Sequence, residues 1–154
     1  MPGYGILPAD EGSGLMSWDD VEPRFAAAQD YWLATTWPDC RPHMMPVWGV
    51  WGSQELWFSS SVKSRKIANI RRDPRCVAAT DDPVDPVIME GVAFVVTVPH
   101  RISWFLDAMN NKYGTQYEPD FLDPAINATV RIEPESAFAL LNSDFSGSPT
   151  RWTF

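Results

Sequence analysis

The chain has 154 residues, of which 45% are hydrophobic and 21% charged, with a formal net charge of −8. This length and balance predict one folded domain spanning 1–154 with a buried core, and exclude a disordered chain. The acidic surplus argues against nucleic-acid binding and against docking on anionic membranes, and no apolar run approaches the roughly 20 residues that cross a bilayer.

Residues 1–16 are rich in Gly and Pro and are expected to form an irregular arm. The segment has neither the basic start nor the apolar stretch of a secretory signal, so a cytoplasmic location is expected. Ser17-Trp18-Asp19-Asp20 resembles a capping box, and Val21, Phe25 and Ala28 then share a helical face. A short helix ending near Ala28 is expected, although Pro23 removes one of its hydrogen bonds. Tyr31–Thr36 is rich in strand formers, Trp37–Arg41 reads as a turn, and Met44–Trp51 reads as a second strand. Gly52-Ser53-Gln54 turns the chain into a third strand, Glu55–Ser59, which completes an antiparallel meander. Strands are also expected at Cys76–Thr80 and Val87–Val96, separated by an acidic loop, Asp81–Pro86, that reads as a solvated face. Ile102, Phe105, Leu106, Met109 and Tyr113 fit a helical stripe over 100–114, with Gly114 as its stop. Two last strands are expected at Thr129–Ile132 and Ala137–Leu141, followed by a tail with Trp152 and Phe154. Seven strands with two or three helices predict a mainly β fold, a closed or nearly closed antiparallel barrel with helices over its ends and edges.

One segment stands out from the acidic background. Lys63, Arg65, Lys66, Arg71, Arg72 and Arg75 are six of the twelve basic residues, and they fall within 63–75. A strand leads into the serines 59, 60, 61 and 64 and then into a helix over about 64–72, which Asp73-Pro74 ends. Free N–H groups at the helix start, hydroxyls before it and cations in its first turn suit a terminal phosphate. The plainer alternative is a solvated basic helix face. Elsewhere the chemistry is sparse. His43 and His100 lack spaced ligand partners, so no metal site is expected. No G-x-S-x-G or Walker-type loop occurs. Cys40 and Cys76 fit no disulfide framework, and Cys76 reads as a buried, inert strand thiol.

The order of motifs resembles the flavin/deazaflavin split-barrel family related to pyridoxamine phosphate oxidase. The features that carry it are YWLATTWPDCRPHMMPVWGVW, LWFSSSVKSRKIANIRRDPR and VIMEG, from Tyr31 to Gly91. The resemblance implies an antiparallel split β-barrel with flanking helices, and a homodimer with the cofactor in a cleft between subunits. By motif position it gives Lys63, Ser64, Arg65 and Lys66, with Ser59 and Ser60 beside them, the phosphate of FMN or of the deazaflavin F420. Pro46, Val47 and Trp48 would run along the tricyclic ring, mainly through backbone groups. The W-D-x-V arm, the P-V-W-G-V-W strand and the R-W-x-F tail are most similar to the F420-using branch. This implies an F420H2-dependent reductase of a small conjugated or planar substrate; an FMN oxidoreductase or a non-catalytic binding protein are the alternatives. The cofactor carries the chemistry, so no catalytic residue is named. Tyr113 and His43 are able to protonate product, and the sequence places neither. Arg71 or Arg72 would meet the carboxylates of the F420 tail. Two departures from the family pattern are Cys40, where a hairpin glycine is usual, and the bulky pair Met44 and Met45.

Overall fold

A computed structural model of the chain describes residues 5–7, 11–12 and 14–154; part of the arm expected at 1–16 therefore lies outside the described residues. The first helix, α1, covers Trp18–Ala27, with Ser17 Oγ accepting the Asp20 N–H as its cap. Pro23 is accommodated because the bond it removes would have reached Asp19, an exposed first-turn residue. Strands β1 (Asp30–Thr36), β2 (Pro42–Gly52) and β3 (Glu55–Ser61) form the expected meander. Helix α2 (Arg65–Arg72) precedes β4 (Arg75–Thr80) and β5 (Val87–Val96), and α3 follows at Pro99–Tyr113. Strand β6 (Asn127–Ala139) and the short β7 (Thr150–Thr153) complete the order.

All pairings are antiparallel and run β3-β2-β1-β4-β5-β6, after which β6 returns to β3 and closes a six-stranded barrel. The edge of β6 opposite β5 is shared: its first half pairs with β3 and its last residues pair with β7. This corrects the expected end of the chain. The two strands expected at Thr129–Ile132 and Ala137–Leu141 are one, and the aromatic tail is itself a strand. Pro134 does not break β6 because it sits at a bulge, where the register shifts between Glu90 and Gly91 of β5.

Two cores hold the elements. Inside the barrel, Leu33, Leu56, Phe58 and Ile132 pack with Phe25 of α1 and with Ile67 of α2. Outside it, Phe105, Leu106 and Met109 of α3 bury Val50 and Trp57 on the opposite face of β2 and β3. Helix α2 therefore contributes to the barrel core through Ile67 and Ile70, while its first turn follows directly on β3.

Candidate phosphate site and the hairpin beside it

The candidate site begins where β3 runs out. Side chains alternate along a strand, so Ser60 and Ser59 face opposite sides. Past Ser61 the chain turns, with the Ser64 N–H donating to Ser61 O at 2.9 Å and the Val62 N–H to Ile126 O at 2.9 Å. Ser64 is the N-cap of α2, its Oγ accepting the Ile67 N–H at 3.5 Å. Ser60 Oγ lies 3.1 Å from Ser64 Oγ, and Lys66 Nζ donates to Ser60 Oγ at 3.3 Å. Two hydroxyls and an ammonium thus converge at the start of a helix whose first N–H groups have no intrahelical partner. Half-burial of Lys66 pushes its pKa down. Among the described residues, Lys63, Arg65 and Lys66 take part in no ion pair. Hydroxyls, cations and a helix N-terminus without a carboxylate partner form a donor set that fits a phosphate dianion.

The residues singled out from sequence do not all join this cluster. Lys63 is exposed and joins the turn through its backbone N–H, which donates to Ser61 Oγ at 3.3 Å. Ser59 is paired with Thr129, on the barrel face away from Ser60. The Arg65 guanidinium lies over the Trp37 ring, 3.9 Å from its centroid. Arg72 donates to Thr36 O at 2.8 Å and Trp37 O at 2.9 Å, so it holds the hairpin instead of standing free for a carboxylate. Between them on the same helix, Asn69 Nδ2 donates to Thr35 Oγ1 at 3.0 Å. Residues 65, 69 and 72 form a stripe at i, i+4 and i+7 that binds α2 to the β1–β2 hairpin. The sequence alone does not show this stripe, although Asn69 lies within the same basic segment. Its partners lie some 30 residues away and carry no local signal.

The hairpin itself closes with Trp37 N–H donating to Arg41 O at 2.9 Å, and Cys40 stands at φ 66°. The conformation that commonly calls for glycine is thus adopted here by cysteine. Along β2, Val47 points into the barrel while Pro46 and Trp48 point outward. Trp48 stacks on Tyr113, with centroids 4.4 Å apart and planes 6° from parallel. Tyr113 Oη accepts the Gly49 N–H at 2.8 Å and donates to Gln29 O at 2.7 Å. Burial pushes its pKa up to about 12, and its hydroxyl is committed to backbone groups.

The outward face of β1 and β2 is apolar and open. Trp32 is 42% exposed, Met44 60% and Trp48 47%, and the register sets Trp32 opposite Pro46 and Met44 opposite Ala34. A cavity of about 450 Å³ continues on the outer face of the neighbouring strands, between Thr36, Arg75, Val77 and Glu90. It includes none of the cradle side chains.

A closed antiparallel barrel with its cation-rich turn between the third strand and the second helix defines a split-barrel protein of the flavin-binding type. Residues 18–140 match the family described as pyridoxamine 5'-phosphate oxidase, and the chain belongs to that family. Among solved structures, a conserved hypothetical protein of Mycobacterium tuberculosis, Rv2991, is similar at 26% identity with a TM-score of 0.71. The match covers 79% of this chain and 82% of that one. An F420 reductase shares the fold at 23% identity and a TM-score of 0.61, over 75% of this chain and 94% of that one. General Stress Protein 26 of Bacillus anthracis does so at 17% identity and a TM-score of 0.69, over 90% of this chain and all of that one. No curated protein matches the chain.

Proposed function

We propose that this chain is an F420H2-dependent reductase of a small conjugated or planar organic substrate. The observation that carries the reading is the convergence of Ser60, Ser64 and Lys66 at the start of α2, with no carboxylate among the described residues paired to the cations. A bound reduced deazaflavin would supply a hydride equivalent. The protein's part is to hold the phosphate, orient the ring and exclude water. Ser60, Ser64 and Lys66 hold the phosphate, with Lys63, Arg65 and the hydroxyl of Ser59 within the same segment. Pro46, Val47 and Trp48 run along the ring edge, mainly through backbone groups. No residue is assigned to the chemical step.

The open apolar strip formed by Trp32, Met44, Pro46 and Trp48 supports the second part of the reading, a homodimer whose partner covers this face and completes the cofactor cleft. No helix among the described residues is long and apolar enough to cross a membrane. Together with two free cysteines, this supports a cytoplasmic protein.

The second reading is an FMN oxidoreductase. The same donor set favours it equally, because FMN carries a phosphate as well and the family is named for such enzymes. Turnover separates these readings from a protein that only binds. Purified chain mixed with F420H2 and a panel of quinones and enones should oxidise the cofactor in a substrate-dependent manner. Tight binding of F420 without oxidation across that panel would leave a carrier or sequestering protein.

A further inference from the structure

The sequence names His43 as a residue without a place; the fold gives it one. Asn69 and Thr35 are 1% and 3% exposed, and Asn69 Nδ2 donates to Thr35 Oγ1 at 3.0 Å. Thr35 Oγ1 in turn lies 3.3 Å from His43 Nδ1. These are the two side-chain partners of that hydroxyl among the described residues. With an amide donating into the oxygen, the hydroxyl proton finds its one side-chain acceptor among the described residues in Nδ1, which favours Nδ1 as the unprotonated nitrogen. The opposite orientation of the Asn69 amide would bury an unpaired NH2 group with two donors. The observed one leaves only the carbonyl oxygen Oδ1 without a partner. An under-satisfied carbonyl is the more tolerable of the two.

A His43 whose Nδ1 accepts carries its proton on Nε2, and Nε2 has no protein partner among the described residues. The imidazole is half-buried and packs edge-on to Trp37, with centroids 6.0 Å apart. The same indole carries Arg65, the first residue of α2, on its face. His43 therefore contacts the indole whose face carries the guanidinium of Arg65, the residue that opens α2. Resting on the cofactor reading above, we propose that His43 is a further ligand-contacting residue. Asn69 and Thr35 lock it as the neutral Nε2–H tautomer, and it donates that hydrogen to an anionic oxygen of the bound phosphate group. Asn69 and Thr35 are positioning residues that touch no ligand.

The chain contains two histidines, so long-range ¹H–¹⁵N spectra of the labelled protein, with His100→Gln for assignment, read the tautomer directly. The ligand-free protein should show Nε2 protonated and Nδ1 bare. Thr35→Val should release the lock and mix the tautomers. Asn69→Asp, which turns the donor into an acceptor, should invert them. Adding F420, FMN or inorganic phosphate should shift Nε2. His43→Leu should weaken F420 binding about tenfold, the effect of one hydrogen bond to a charged group. His43→Gln, which puts an amide nitrogen near the Nε2 position, should restore most of it. A protonated Nδ1 in the free protein, or unchanged affinity in His43→Leu, overturns the role of His43 and leaves the cofactor reading standing. A phosphate-induced shift of Nε2 without binding of either F420 or FMN removes the cofactor reading and keeps the anion contact. Absence of both binding and shift removes both.

Discussion

Lys66 sits half-buried against Ser60 without a carboxylate partner among the described residues, and burial lowers its pKa, a sign that the fold itself does not favour the charge. Such a residue is explained by a ligand more readily than by stability. Lys66→Ala should weaken phosphate-anchored cofactor binding by about 10- to 100-fold, the range for a charge-assisted hydrogen bond of roughly 1.5–3 kcal/mol. The same substitution should leave the urea midpoint unchanged or slightly higher. A marked loss of stability would make Lys66 a structural residue. Cys40 occupies a left-handed conformation that costs a side chain roughly 1–2 kcal/mol, part of which glycine returns as unfolded-chain entropy. Cys40→Gly should therefore raise stability by about 0.5–1 kcal/mol in denaturant titrations. The two thiols should also behave differently. Burial pushes Cys76 up to about 12, while Cys40 is exposed. A thiol reagent at pH 8 should modify one cysteine per native chain and the second only after unfolding.

At the scale of elements, the site depends on how α2 and the barrel are fixed to each other. Much of this was legible. The Ser64 cap and the Asp73-Pro74 stop delimit α2, and the alternating run Val87–Val96 is a strand over its expected length. The end of the barrel was not legible, because Glu-Pro-Glu-Ser at 133–136 reads as a loop in isolation. Only its pairing with Glu90 and Gly91 of β5, with Glu135 bulged out between the two pairs, makes it continuous strand. The bulge needs its glycine: a Cβ on Gly91 would stand 2.2 Å from Glu133 O. Gly91→Ala should therefore lower the melting temperature, by an amount corresponding to roughly 1–3 kcal/mol of overpacking; an unchanged melt would contradict the bulge description. The stripe from Arg65 to Arg72 was hidden for a related reason: helical periodicity shows which residues share a face, but not which hairpin that face meets. At the other end of β1, Lys112 Nζ donates to Ala28 O at 2.6 Å and Gly49 O at 2.7 Å, tying α3 to the exit of α1. Burial depresses its pKa to about 8. The unfolded chain then binds more protons than the native one above that value. Stability relative to Lys112→Met should rise from pH 8 to 10, before tyrosine ionisation intervenes.

For the whole molecule, the acidic chain carries a basic turn that no described carboxylate neutralises and, on the outward face of β1 and β2, an open apolar wall. If the wall meets a second copy, Met44→Asp should halve the mass seen in sedimentation and weaken cofactor binding along with it. The proposed dimer fails if the protein sediments as a monomer at concentrations that still bind cofactor. The sequence made the hairpins of the barrel, the Ser64 cap and the cluster of cations visible because each is local. It left the cofactor open between two molecules that share a phosphate. Equilibrium titration of the purified chain with F420 and, separately, with FMN tests the central claim most directly. Micromolar or tighter binding of F420, weaker binding of FMN, and a loss of F420 affinity in Lys66→Ala are expected. Binding of FMN alone, or F420 binding that Lys66→Ala leaves untouched, would contradict it.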